Sequence, residues 1–322
     1  MQLPHALAES IESLIENRDF KAIRRAGEEL SARYRSDLPQ IALSTSEHRL
    51  AYLLVRLPAT YAAISGVLKE VRGRVGEIRS VLDLGAGPGT AAWTAAELFP
   101  NLERVTLIER DAEMVAVGKQ LAAAHQGLGR AKWVTSDLRS AALAQHDLVI
   151  AAYALGEIQE KGRMDLLKRA WEASGKALVV IEPGTPRGFA SLLSLREALL
   201  AHGQHILAPC PGNAECPMAK RPGDWCHFAA RLERTSLHRR LKSGELGYED
   251  EKFSYLAFVR GKPAPTVPAR ILRHPVHGKG HIKMTLCEAP NLREITVTKS
   301  DPNAFRAARR AKWGDAWPPP KS

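Results

Sequence analysis

With 322 residues, 45% hydrophobic and 25% charged, the chain has enough apolar material for one large domain or two ordinary ones. It has no apolar run of roughly eighteen residues and no signal or transit character over Met1–Asp19, so the expectation is a cytoplasmic, bacterial protein without a membrane partner. The net charge of +11 is uneven: residues 1–200 carry 25 Lys and Arg against 24 Asp and Glu, residues 201–322 carry 21 against 11. That asymmetry favours a polyanionic partner, most simply nucleic acid, over a basic face that serves solubility alone.

Residues 1–75 read as a helical cap. Apolar residues recur near helical spacing over Leu7–Leu14 and again from Arg49 to Val71, where Thr45 or Ser46 is a candidate N-cap and Pro58 is expected to kink or divide the helix. From Ile78 strands and helices alternate. Strands are predicted at Ser80–Leu84, Arg104–Glu109, Ala131–Thr135, Asp147–Ala152 and Ala177–Glu182, with helices around Thr90–Leu98, Ala112–Ala124, Met164–Ala173 and Phe189–Leu200. This is the rhythm of βαβ units, so residues 76–262 should form an α/β, Rossmann-like, doubly wound sheet.

The first strand runs into Asp83-Leu84-Gly85-Ala86-Gly87-Pro88-Gly89, glycines that allow a tight turn and close approach of a ligand at the carboxyl edge. Glu109 ends the second strand and Asp137 follows the third. A carboxylate at Glu109 suits a ribose, of a nicotinamide dinucleotide among others; glycines serving the turn alone are the plainer alternative. The set resembles class I S-adenosylmethionine-dependent methyltransferases, whose D-x-G-x-G-x-G segment is matched by Asp83–Gly89. The resemblance implies S-adenosylmethionine as cofactor, with Asp83, Gly85, Ala86, Gly87 and Gly89 along its methionine part, Glu109 on the ribose hydroxyls and Asp137 at the adenine amine.

Catalytic residues are expected after the fourth strand, in Ala152-Tyr153-Ala154-Leu155-Gly156-Glu157. The Asn or Asp with prolines that holds an amine on a base is missing there, and the first 209 residues contain no cysteine for attack on a cytosine ring. Tyr153 could stack a base or simply pack, and Glu157 could be a base or a helix-start carboxylate. Arg187, in the rigid turn Glu182–Phe189, could meet a phosphate or face solvent. The catalytic residues are unknown, and whether the chain is an enzyme is open.

The sixth and seventh strands are predicted at Trp225–Leu232 and Phe253–Arg260, with a basic segment Arg234–Lys242 between them and residues 201–226 as a cysteine-bearing insertion. After Lys262-Pro263-Ala264-Pro265, residues 263–322 read as a small basic extension, with strands at Ala269–His274, His281–Cys287 and Glu294–Thr298. The tail Phe305–Trp317 interleaves cations with aromatics, a mixture that can contact nucleic acid or pack by its tryptophans.

Cys210, Cys216, Cys226 and Cys287 are all the cysteines, spaced C-x5-C-x9-C-x60-C. Four thiolates suit zinc or an iron-sulfur cluster. The short C-x2-4-C knuckles usual for zinc are missing, and Pro211 and Pro217 follow two cysteines as in ferredoxin-type ligation. His205, His227, His274, His277 and His281 keep a Cys/His zinc site open.

Taken with Glu182–Phe189, Trp225–Phe228, Phe253–Phe258 and Ala311-Lys312-Trp313-Gly314, these motifs resemble the methyltransferase-like small-ribosomal-subunit assembly factors of mitochondria and their bacterial relatives, over roughly residues 45–317. The resemblance implies a [4Fe-4S] cluster on the four cysteines, with zinc as the alternative. It also implies binding to the small ribosomal subunit and its rRNA, as a monomer away from the ribosome. An active rRNA methyltransferase with a structural metal site is the competing expectation.

Overall fold

The computed structural model describes residues 2–35, 43–233, 248–261 and 266–319. The segments expected at Arg234–Lys242 and Lys262–Pro265, and the side chain of Glu157, lie outside the described residues.

Helices α1 (His5–Ile15), α2 (Phe20–Arg35) and α3 (Ser46–Arg72) precede the sheet. Thr45 caps α3, its side chain accepting from the His48 backbone N–H at 3.2 Å. Pro58 sits inside α3 without dividing it. The lost hydrogen bond and steric clash cost about 3 kcal/mol in an isolated helix. Here Leu53, Leu54 and Leu57 before the proline, and Ala59, Ala62 and Ala63 after it, are all buried, and each large apolar side chain so buried contributes roughly 1.5–3 kcal/mol. Among the described residues α3 alone is long and apolar enough to cross a membrane, but most of its length is covered by the rest of the chain.

The main sheet contains β1 (Ser80–Leu84), β2 (Arg104–Glu109), β3 (Lys132–Thr135), β4 (His146–Ala152), β5 (Ser174–Pro183), β6 (His205–Ala208), β7 (Phe228–Glu233) and β8 (Tyr248–Val259). Between them lie α4 (Thr90–Leu98), α5 (Ala112–Ala122), α6 (Glu160–Ala173) and α7 (Pro186–Ala201). The order is β3-β2-β1-β4-β5-β8-β6, with β1 to β5 parallel and β8 antiparallel to β5. This is the class I methyltransferase arrangement. Continuous apolar runs such as Leu148–Ala151 and Ala177–Ile181 are fully buried because helices cover both faces.

One expectation is corrected at the far edge. The sixth position is not Trp225–Leu232 alone: β6 and β7 both pair antiparallel with β8, β6 with its C-terminal end and β7 with its N-terminal half. They form one interrupted strand, and residues 209–227, with three of the cysteines, are the interruption. The cysteine loop therefore follows β6 rather than forming the whole crossover from β5.

A second sheet comprises β9 (Ala269–Ile271), β10 (Val276–Gly278), β11 (His281–Glu288), β12 (Asn291–Thr298) and β13 (Ala316–Trp317), with α8 (Pro302–Ala308) against it. Its small core contains Ile271, Ile282, Met284, Leu286 and Val297. Arg270, 2% exposed, fastens this unit to the main one. Its guanidinium donates to both Glu70 carboxylate oxygens on α3, at 2.9 and 3.3 Å, and to the carbonyls of Pro209 and Gly314.

Candidate functional site

The carboxyl edge of the parallel strands opens into a cavity of about 870 Å³. Gly85, Gly87 and Gly89 all have positive φ. At Gly85 a side chain is excluded twice over, since φ is 68° and a Cβ would come 2.6 Å from Cβ of Ala154. Asp83 lies beneath the loop, 1% exposed, accepting from the Ala92 N–H at the start of α4. Burial pushes its carboxyl up to about 7. Ala86 turns its methyl into the core, so only its backbone belongs to the loop.

Glu109 braces this edge. One oxygen accepts from the Gly87 N–H and the other from the Asp111 N–H, each at 2.9 Å. Asp137 also lines the cavity, but its carboxylate accepts from the guanidinium of Arg139 at 2.9 and 2.6 Å. That pair pulls its pKa down to about 2.

The opposite wall holds residues that sequence reasoning missed: Arg49, Tyr52, Arg56 and Thr60 of α3. Arg49 donates to both oxygens of Asp111, which also caps α5. Arg56 pairs with Glu251 of β8 at 3.0 and 2.9 Å. The available signal is their spacing, i, i+3, i+7 and i+11, a polar stripe on an otherwise apolar helix.

Tyr153 leaves β4 with φ 59°, the only non-glycine residue at positive φ among the described residues. That conformation costs roughly 1–2 kcal/mol. Its ring lines the cavity and its buried hydroxyl makes no hydrogen bond of good geometry. Burial and the nearby Glu251 carboxylate push its ionisation well up. Glu182, at the end of β5, is 2% exposed, accepts from the Leu155 N–H, and is pushed up to about 7 by burial. Arg187 is not in this cavity; it donates to the Gly156 carbonyl and lines a neighbouring groove with Arg163.

The four cysteines meet at the seam between the two sheets. Cys216 and Cys287 share a small buried core with Met218 and Leu272, and Cys226 packs against it. Burial pushes the thiols of Cys210, Cys226 and Cys287 up, Cys287 to about 12. Mutual repulsion adds to this, because Cys226 feels the other three. No group of three or more His, Cys, Asp or Glu side chains among the described residues is drawn in to metal-ligand geometry. The donor chemistry nevertheless fits a metal centre: four soft thiols, Cys216 and Cys287 buried and Cys210 and Cys226 partly so, which a bound cation would ionise.

The histidines are placed otherwise. His227 stacks on Trp225 and meets Trp313 edge-on, with ring centroids 5.1 and 4.8 Å apart, and His274 meets the other side of Trp313. His205 pairs with Asn213. His281 covers Gly278, and His277 lies exposed on β10.

The family model described as mitochondrial small ribosomal subunit Rsm22 matches residues 46–318. Human ribosome assembly protein METTL17, mitochondrial, is 25% identical over 293 residues, covering 84% of this chain and 62% of its own length. The two Rsm22-cox11 tandem proteins of Schizosaccharomyces pombe, also mitochondrial, are each 27% identical over 330 residues, covering 85% of this chain and 43% of theirs. The chain thus spans less than two thirds of these curated relatives. Among solved structures, magnesium protoporphyrin IX methyltransferase of Synechocystis PCC 6803 is similar over 76% of this chain and 100% of that one, at TM-score 0.42 and 14% identity. The expected bacterial cytoplasmic location is corrected by these matches. The family and its curated relatives are mitochondrial, which points to a mitochondrial location; the lack of leader character over Met1–Asp19 is no evidence of compartment.

Proposed function

The chain belongs to the mitochondrial small ribosomal subunit Rsm22 family, and on that premise we propose that it is a small-ribosomal-subunit assembly factor. It binds S-adenosylmethionine in the carboxyl-edge cavity, holds a [4Fe-4S] cluster through Cys210, Cys216, Cys226 and Cys287, and contacts rRNA through its basic C-terminal unit. The observation that carries the reading is the span of the family match, which includes the parallel sheet, the cysteine loop and the small β-unit.

In the cavity, the loop Gly85–Gly89 faces the methionine part of the cofactor. Glu109 accepts from the ribose hydroxyls and Asp137 from the adenine amine, in competition with Arg139. S-adenosylmethionine supplies an electrophilic methyl group there. At the seam, the four cysteines tie the loop after β6 to β11, and a cluster supplies the bonds that lock one sheet to the other. Zinc on the same thiols is the alternative centre. Residues 263–322 carry 11 Lys and Arg against 4 Asp and Glu. Arg306, Arg309, Arg310 and Lys312 are exposed, while Trp313 and Trp317 are partly buried against the two cores. Contact with rRNA therefore falls to the cations, through phosphate neutralisation.

Co-sedimentation with small-subunit particles over a salt series tests the reading. Binding that weakens steeply with salt is expected, and absent or salt-insensitive binding overturns it. One observation favours a second reading, an active rRNA methyltransferase: Tyr153, which lines the cavity, is held in a costly backbone conformation. An rRNA modification map unchanged on deletion of the gene rules against that enzyme.

A further inference from the structure

Helix α7 turns one face to the cysteines. Phe189, Leu193 and Arg196 lie along it at i, i+4 and i+7. The first two pack against the core of Cys216, Met218, Leu272 and Cys287. Arg196, 5% exposed, reaches into the loop and donates its Nη2 to the carbonyl of Ala214, between Cys210 and Cys216.

A guanidinium this deep normally faces a carboxylate, because an unpaired charge removed from water is costly. The neighbouring arginines follow that rule: Arg270 has Glu70 and Arg273 has Asp224. Arg196 has no carboxylate within ion-pair distance among the described residues, and its buried Nε–H has no acceptor. The groups its helix face and the loop place beside it are cysteines: the loop it enters runs from Cys210 to Cys216, and the helix packs against the core that holds Cys216 and Cys287.

We propose that Arg196 is the internal counter-cation of the four-cysteine site, balancing the thiolates and offering its unpaired Nε–H as a donor to sulfur. The proposal rests on the four-thiolate reading but not on the identity of the metal. Four thiolates around either zinc or a cluster leave a net negative charge, and a buried site of that kind needs a cation held out of water. Arg196 is thus a positioning residue for the centre, placed by α7 and by the loop it braces.

The test compares the full chain with Arg196→Lys and Arg196→Met, each purified anaerobically and analysed for iron and zinc. Loaded Arg196→Met is expected to release its metal to EDTA at least tenfold faster than the unaltered chain, with Arg196→Lys between them. If the metal is iron, the midpoint potential of Arg196→Met shifts to more negative values, since losing a nearby positive charge disfavours an added electron. In the stripped proteins the order reverses: Arg196→Met melts at the same temperature as the unaltered chain or higher, because an uncompensated buried charge has gone. An arginine that only packs would lower the melting temperature of loaded and stripped forms alike. That pattern, or equal release rates, overturns the proposal. An unaltered chain that carries no metal overturns the four-thiolate reading as well, and shows this before any variant is examined.

Discussion

The cavity and the seam solve opposite electrostatic problems. Around the cavity several ionisable groups are already answered within the fold: Glu109 by two backbone N–H groups, Arg49 by Asp111, Arg56 by Glu251, Asp137 by Arg139. Asp83 and Glu182, each with one backbone N–H donor, lie buried and are pushed up to about 7, where protonation removes their charge. At the seam Arg270 and Arg273 have their acids, but Arg196 has none among the described residues, and it lies beside thiols that burial and one another push up. The cavity is a formed site that can wait for a ligand. On the proposed reading the seam is completed by a bound centre, so removing metal should affect the two regions very differently.

The strongest way to break this contrast is at the thiols. Cys287→Ser is expected to abolish metal retention through desalting and to expose residues 263–322 to protease, while calorimetry still shows S-adenosylmethionine binding at the cavity. A variant that loses both functions together would make the two regions one cooperative unit. Next in size is Arg270→Met. It strands Glu70 in the interface, and losing one partner of such a buried pair costs about 3–5 kcal/mol. Arg74, 3.2 Å from the same carboxylate, should reduce that loss. Denaturant unfolding measures it.

The two regions were also unequally legible in the sequence. Asp83–Gly89 and Glu109 stand out because a strand, a turn and a helix follow one another and force their arrangement locally. The α3 wall did not, because nothing near Arg49 or Arg56 tells which face of an apolar helix will cover a cavity whose other side comes from Glu109, Asp137 and Tyr153. Strand β6 escaped for a related reason: His205–Ala208 is four residues long and becomes a strand only because the end of β8 offers it an edge. The cysteines could be grouped by count, but the cation beside them could not. Arg196 reads as an ordinary polar position of α7 until the loop after β6 folds over it.

A pH series sharpens the cavity half of the contrast. The folded-state pKa values of Asp83 and Glu182 lie above the unfolded values, so the folded state holds the extra protons and stability falls as pH rises through about 7. Between pH 6 and 8 the expected loss is about 1.4 kcal/mol for each group. Asp83→Asn with Glu182→Gln should flatten the dependence, read as melting temperature against pH. An unaltered slope would show that these carboxyls remain charged in the fold.

The smallest effect separates packing from chemistry at Tyr153. Its hydroxyl is buried without a hydrogen bond of good geometry, so Tyr153→Phe removes an unsatisfied polar group and little else. Stability should be unchanged or higher by up to about 1–2 kcal/mol. The left-handed backbone is untouched by that substitution, whereas Tyr153→Gly relieves it at the expense of the ring. Affinity for S-adenosylmethionine should survive Tyr153→Phe, because the cofactor contacts assigned to Glu109 and the glycine loop do not involve this hydroxyl. If the chain methylates rRNA through that hydroxyl, Tyr153→Phe lowers the modification while particle binding stays intact. If the cavity serves assembly alone, Tyr153→Phe assembles subunits as well as the unaltered chain does, and the strain at Tyr153 belongs to how β4 ends against Ile181, whose carbonyl accepts the Tyr153 N–H at 2.7 Å.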